Sequence, residues 1–407
     1  MGLTMGEKKA LTQALARRYR LSDKKGKSLI LNEFVQTTGY NRKYAITLLS
    51  NYGLEKIRYI SDKPIKVVLG HREKKKRKGH PIYGPEVKKA VVALWTYFDY
   101  MCGKRLVVLI RTNIELLSHQ PELNISPPVK KLLKRISAST LDRMLSGERK
   151  KLQVKGRSHT RHGPMLKHQI PIRTNYSWDE RLPGYFELDT VGHDGGSSSG
   201  EFCFTLTATD VFSGWVELRA LRNRAHRWVK EGVEDMYSTL PFPLKGIDSD
   251  NGGEFINHNL LNFCHDRGIE FTRGRAYRKN DNCFVEQKND MAVRRTVGYY
   301  RFDTDEEFQV LQEVYTHLCP LINYFYPSYK IIAKERKGPK VFKRYDDPKS
   351  PVQRLLESDK VNPSIKEQLR RNMKKLHLMK QKKLVDQAVF RLVRLYEEKN
   401  QRVLVFS

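Results

Sequence analysis

Between residues 184 and 300 the chain switches repeatedly between a two-residue and a helical period, and the order of those switches leaves few folds open. Residues 184–191 and 201–209 alternate apolar and polar side chains, and residues 214–220 follow the tight Phe212-Ser213-Gly214 turn. Three such segments in succession predict an antiparallel meander. Helical spacing then covers residues 224–240, 257–267 and 281–300, with short apolar strands at 244–248 and 269–273 between them. Strand, strand, strand, helix, strand, helix, strand, helix predicts an α/β fold: a mixed five-stranded sheet with helices on both faces.

Three acids fall at telling places on that pattern. Asp189 sits in the middle of the first strand beside Phe186, Leu188 and Val191, where a charge is costly unless paired or bound to a metal. Asp250 ends a strand and is followed by Asn251-Gly252-Gly253, a turn that leaves room for a phosphate to approach the backbone. Glu286 lies 36 positions beyond Asp250, with 35 residues between them, in the first turns of a helix that Asn280, Asp281 or Asn282 is placed to cap. Oxygen-only ligands suit Mg²⁺, with Mn²⁺ able to substitute. Two such ions about 3.5–4 Å apart clamp the attacking and leaving oxygens of a phosphodiester displacement. On this reading Asp189 bridges both ions, Asp250 completes one shell and Glu286 the other. The pattern alone leaves rivals open: Glu187 and Asp248 share strand faces with Asp189 and Asp250, and Asp290 follows Glu286 by one helical turn. Asp210 reads as a turn residue and His193 as a loop histidine.

Charge is segregated along the chain. Residues 1–180 hold 38 Lys/Arg against 14 Asp/Glu, residues 181–335 hold 18 against 23, and residues 336–407 hold 20 against 8. Generic solubility does not require such blocks. Basic flanks around an acidic centre predict that the flanks grip a polyanion for a metal-dependent core, with double-stranded DNA as the partner. The flanks divide further. Residues 1–60 read as a helix-turn-helix unit: an amphipathic helix stops at Gly39 and a second begins at Asn41-Arg42-Lys43, which are taken as DNA contacts. Residues 61–83 form a basic linker. Residues 84–147 repeat the layout, with a short helix capped by Ser137 or Ser139. Residues 148–180 are expected to be an extended basic arm, and Arg149, Lys150, Arg157 and Arg161 mark its path along DNA. Residues 181–335 are the catalytic core and 336–407 a basic C-terminal region with one long helix over 364–400. Arg273, Arg275, Arg278 and Lys279 precede Glu286 and are expected on the terminal DNA backbone. Asn251 and Asn282 are supporting residues.

Five scattered cysteines with no Cys-x-x-Cys exclude a zinc ribbon and a disulfide scaffold. The absence of a long apolar run or an apolar leader predicts a soluble cytoplasmic protein with no membrane partner.

Ser249-Asp250-Asn251-Gly252-Gly253-Glu254-Phe255 and Val285-Glu286-Gln287-Lys288-Asn289 closely resemble the integrase core of retroviral integrases and related bacterial transposases. Glu187-Leu188-Asp189-Thr190 and Ala208-Thr209-Asp210-Val211-Phe212-Ser213-Gly214-Trp215 match its first strands. The resemblance covers roughly residues 170–335. It implies a ribonuclease H-like core and an Asp-Asp-Glu triad falling on Asp189, Asp250 and Glu286. It also implies Mg²⁺ and a homodimer or larger synaptic assembly. Helical units ahead of the core, and no His-His-Cys-Cys zinc module, point toward a nucleoid-associated insertion-sequence transposase that binds terminal inverted repeats and joins them to target DNA. The Tyr277-Arg278-Lys279-Asn280 stretch departs from the family's Pro-rich loop. A nuclease without strand transfer and a catalytically retired DNA-binding regulator are the alternatives.

Overall fold

The computed structural model describes residues 3–60, 63–68, 82–123, 125–151, 182–250, 252–274, 285, 288–337 and 340–405. They fall into two compact units, Met1–Ile82 and Tyr83–Ser407.

The first unit packs three helices, α1 Met5–Leu21, α2 Lys24–Thr38 and α3 Arg42–Asn51. Each start is capped: Thr4 and Glu7 form a capping box, Asp23 accepts from the Gly26 amide, and Asn41 accepts from the Lys43 amide. Gly39, at φ 68°, ends α2 in the left-handed conformation that glycine adopts freely. Phe34, Ala45 and Leu49 are fully buried at the centre of this small core. An antiparallel hairpin follows, β1 Glu55–Ile60 and β2 Lys63–Val68, spanning the expected end of the helical unit and start of the linker. The β-branched content of Ile57, Ile60, Ile65, Val67 and Val68 accounts for it. This unit is therefore helical with a strand pair appended.

The second unit is built on five strands: β3 Tyr185–Gly192, β4 Phe204–Asp210, β5 Val216–Leu221, β6 Gly246–Ser249 and β7 Glu270–Arg273. Their order is β5-β4-β3-β6-β7. The β3–β4 and β4–β5 pairs are antiparallel, and the β3–β6 and β6–β7 pairs are parallel. Helices α8 His226–Thr239 and α9 His258–Asp266 form the crossovers. A meander whose first strand is central and is extended by two parallel strands is the ribonuclease H-like arrangement.

The two sheet faces bury separate apolar clusters. Phe186, Leu188 and Leu206 meet Val229 and Val233 of α8 and Phe263 of α9 on one face. On the other, Val191, Val216 and Leu218 join Ala292, Val293 and, from α10 Asp305–Pro320, Leu311 and Val314. That second cluster extends without a break into helices α4 Pro85–Tyr97, α5 Gly103–Ser118, α6 Pro127–Arg135 and α7 Ala138–Lys151. Polar ties reinforce it. Asp99, in a positive-φ turn after α4, accepts from the Tyr326 hydroxyl at 2.9 Å and pairs with Lys382, and Arg105 donates to the Pro327 carbonyl. Ser137, one of the two serines expected to cap α7, accepts from the Thr140 amide at 3.2 Å.

The C-terminal region begins with α11 Pro351–Glu357 and continues as α12 Pro363–Lys375 and α13 Leu378–Val405 rather than one helix. The break serves packing. Leu369 and Leu376 join the cluster under α8 and α9, whereas Leu378, Val385 and Leu392 join the cluster on the opposite face. A straight helix would not reach both. No helix among the described residues is long and apolar enough to cross a membrane.

Candidate active site

Strand alternation puts Glu187, Asp189 and Val191 on the same face of β3. The register then lines polar residues into a row across the sheet, Thr209–Glu187–Asp248–Thr272. All four are buried. Asp248 accepts from the Thr272 hydroxyl at 2.6 Å, and Glu187 accepts from the Val285 amide at 3.2 Å. One step toward the carboxyl edge stand Asp189 and Asp250, both only partly buried. The rival acids are thus committed to holding structure, while the pair nearer the edge is open to solvent. Asp290, the third rival, is exposed and paired with Arg295 at 2.8 Å.

Each edge carboxylate is oriented by backbone. Asp189 accepts from the Thr190 amide and Asp250 from the Gly252 amide, both at 2.8 Å. Gly252 leaves room for the side chains around it. A Cβ there would lie 2.6 Å from a Glu254 carboxylate oxygen and 2.9 Å from the Asp250 Oδ1. The expected glycine turn is present, and its use is to let two carboxylates close over the backbone. Glu254 also accepts from the Thr190 hydroxyl at 3.3 Å, tying the Asp250 loop to β3. Burial, and then the negative charge of Asp250, raise the Glu254 carboxyl above its usual range. Sequence reasoning quoted Glu254 within a motif without assigning it to the site. Its position four residues past Asp250, inside a glycine turn, was the available signal.

A helical segment lies along this face of β3. Val285 reaches Glu187, Asn289 donates from Nδ2 to the Asp189 Oδ2 at 2.6 Å, and Arg294 donates to the Gly192 carbonyl at 2.7 Å. Residues Asn289–Arg294 have π-helical hydrogen bonding, a distortion that recurs at functional sites, and the segment stops at Gly298 with φ 75°. Glu286 falls between Val285 and Asn289, outside the described residues, as do Asn251, Arg275, Arg278, Lys279 and Asn282. Among the described residues no three acidic, histidine or cysteine side chains form a ready cage for a cation. The donor set is nonetheless all oxygen, and crowding of Glu254 against Asp250 is the kind of repulsion a divalent cation relieves. The residues fit Mg²⁺ or Mn²⁺.

Other expectations resolve as structure. Asp210 is fully buried and accepts from the Gly184 and Ser213 amides, so it closes the β4–β5 turn as read. His193 lies in the loop just after β3, as expected, but it is buried against Phe302 and bonded to the Thr205 hydroxyl, and burial drives its pKa down to about 3. Arg149 and Lys150 lie on α7, not on an extended arm. Arg149 is paired with Asp142 at 2.7 Å and rests over the Trp95 ring, while Lys150 is exposed. Arg157 and Arg161 fall outside the described residues. In the first unit the Asn41 side chain caps α3, Arg42 donates to Asn32, and Lys43 is exposed. Arg273 ends β7, partly buried.

The integrase core domain family matches residues 179–279. The chain is 38% identical over 354 residues, 86% of its length and 96% of the relative's, to the uncharacterized protein y4rM of Sinorhizobium fredii. The chain thus carries an integrase core domain over residues 179–279 and belongs to one family with y4rM. It is also 28% identical over 109 residues, 26% of its length, to the Gag-Pol polyprotein of avian reticuloendotheliosis virus, and that stretch is 9% of the polyprotein. Among solved structures it is similar to the BIV integrase catalytic core, at 18% identity, TM-score 0.28, 43% of this chain and 95% of that one. It is likewise similar to the HTLV-2 integrase catalytic core in complex with magnesium, at 16% identity, TM-score 0.27, 36% of this chain and 91% of that one. An integrase core domain makes this a polynucleotidyl-transferase type of protein. The family match ends seven residues before Glu286.

Proposed function

We propose that the chain is a DNA transposase that binds the terminal inverted repeats of its element, cleaves there, and joins the freed 3′ ends to target DNA. The observation that carries the reading is the pairing of two partly exposed carboxylates, Asp189 and Asp250, one step outside a row of acids wholly engaged in structure. Glu286 is the third member. Its neighbours Val285 and Asn289 each bond to an acid of β3, which supports bringing Glu286 to the same edge.

Asp189, Asp250 and Glu286 would hold two Mg²⁺ ions, and bound metal supplies charge for activating the nucleophile and stabilising the leaving oxygen. The chain's own contribution is orientation. Thr190 and Gly252 amides fix the carboxylate rotamers, and the Asn289 amide group holds Asp189 from the helix side. Burial, and then the charge of Asp250, raise the Glu254 carboxyl above its usual range, and its Thr190 bond ties the Asp250 loop to β3. The helix-turn-helix reading of Met5–Asn51, with Lys43 exposed at the start of α3, supplies repeat recognition. A homodimer or larger assembly would pair two element ends.

The test uses a labelled duplex carrying the inverted repeats that flank the reading frame, supercoiled plasmid and Mg²⁺. Joined product is expected. Hydrolysis with no joined product would instead make the chain a nuclease of the same fold, and repeat binding with neither reaction would make it a regulator.

A further inference from the structure

A two-stranded ribbon leaves the catalytic unit just after the core, β8 Ile331–Lys337 paired antiparallel with β9 Lys340–Tyr345. Its root is firmly built. The Lys330 amide donates to Asp346 at 2.6 Å and the Lys330 ammonium donates to the Val211 and Phe212 carbonyls at 2.8 and 2.7 Å. Asp346 is held by Arg354 at 2.9 Å, and Tyr329 packs edge-on against Tyr345. The blade beyond that root is exposed: Ile332 is 54% and Phe342 53% accessible, and Arg336, Lys343 and Arg344 are exposed as well.

The blade is nearly of one sign. Lys334, Arg336, Lys337, Lys340, Lys343 and Arg344 stand against a single acid, Glu335. The register sets Lys334 directly opposite Lys343 and Lys337 opposite Lys340. Like charges in that relation destabilise a strand pair. Lysines do guard exposed strand edges against pairing, but either sign of charge would serve that end. Alternation also distributes the exposed cations: Arg336 and Lys343 share one face, and Arg344 stands on the other. A ribbon meant to lie flat on an anionic surface needs cations on one face only. Cations on both faces suit a ribbon standing between two phosphate backbones.

We propose that this ribbon enters the major groove of duplex DNA as a binding site separate from the acidic edge. The groove is about 12 Å wide and admits a two-stranded ribbon. Seven residues at roughly 3.3 Å each reach some 20 Å, enough to cross it. Exposed Phe342, on the Arg344 face, would meet base edges while the cations meet phosphates. The proposal rests on the DNA-acting reading of the core only in its choice of polyanion.

The full chain is titrated against a fluorescent 30-base-pair duplex over a salt series, wild type beside K343E/R344E and K343Q/R344Q. Both pairs of substitutions are exposed, so melting temperatures should match wild type, and the glutamine pair covers any misfolding by the glutamate pair. The expected result is at least about a tenfold weaker Kd near 0.1 M salt and a log–log salt slope shallower by about 2, since each phosphate contact contributes about 0.9. At saturating duplex, joining by the glutamine pair should return to the wild-type rate. If the core reading fails, no protein joins DNA, yet the difference in Kd persists. Unchanged Kd and salt slope in the folded glutamine pair would overturn the ribbon's assignment, as would weaker binding with an unchanged slope.

Discussion

Two rows of acids lie one residue pair apart on the same sheet, and their surroundings separate them. In the inner row, Glu187 and Asp248 are fully buried and spend their oxygens on the Val285 amide and the Thr272 hydroxyl. In the outer row, Asp189 and Asp250 are partly exposed and are steered by local amides from their own strand and turn. Residue type and period are the same in both rows. The difference between the rows is burial: neighbouring strand and helix close over the inner acids, whereas the outer pair keeps partial exposure to solvent.

The strongest way to break that comparison is to neutralise one row at a time. Asp189→Asn, Asp250→Asn and Glu286→Gln should each lower strand joining by about a thousandfold or more, the loss of roughly 4 kcal/mol of transition-state stabilisation. For the two aspartate substitutions melting temperatures should stay within about 2 °C, because partly exposed groups contribute little to stability. A joining assay beside thermal unfolding reads both. An Asp250→Asn protein with full activity would remove Asp250 from the site.

The inner row should behave the other way. Asp248→Ala strands the Thr272 hydroxyl and Glu187→Ala strands the Val285 amide, each costing about 1–3 kcal/mol of stability by urea unfolding. Glu187→Gln keeps an acceptor for the amide and should recover most of the loss. Asn289→Ala sharpens the contrast from the helix side. It removes the 2.6 Å bond to Asp189, so joining should fall about tenfold, the size of one positioning hydrogen bond, with little change in stability. Asn289→Asp, which brings a second negative charge to the same oxygen, should be worse than alanine.

Much of this arrangement was legible before any coordinates. Strand order, the central place of β3 and the glycine turn after Asp250 follow from period and spacing, because a half-buried strand imposes its alternation on the sequence. The choice between rows was not legible from period, since Glu187 and Asp189 are equivalent under a two-residue repeat. The rows differ in burial, and burial depends on Val285 and Thr272, 98 and 24 residues away from the acids they bind. The β1–β2 hairpin and the break at Leu376 were missed for related reasons. Short β-branched runs resemble linkers, and an intermittent apolar stripe does not reveal that its two halves pack on opposite faces of a sheet. The burial of the loop residue His193 was not legible, because nothing local signals that Phe302 and Thr205 close over it.

The smallest effect concerns the residue beside Asn289. Lys288 is 6% exposed, and among the described residues its ammonium has no hydrogen-bond partner. Burial first, then the positive charges of Arg105 and Arg354, drive its pKa from 10.5 to about 7. An unfolded chain would bind a proton there at any pH between those values while the folded chain would not. Stability must therefore rise as pH climbs from about 7 toward 10.5, and the penalty is fully present below 7. The slope from this one group is at most about 1.4 kcal/mol per pH unit. Lys288→Met keeps the length of the side chain and removes the charge, so it should be more stable than wild type at pH 6 and lose that advantage by pH 10. Paired urea titrations at the two pH values measure it. An equal offset at both would mean that Lys288 keeps its charge inside the fold, and this helical segment would then carry a buried cation beside the Asn289 contact to Asp189.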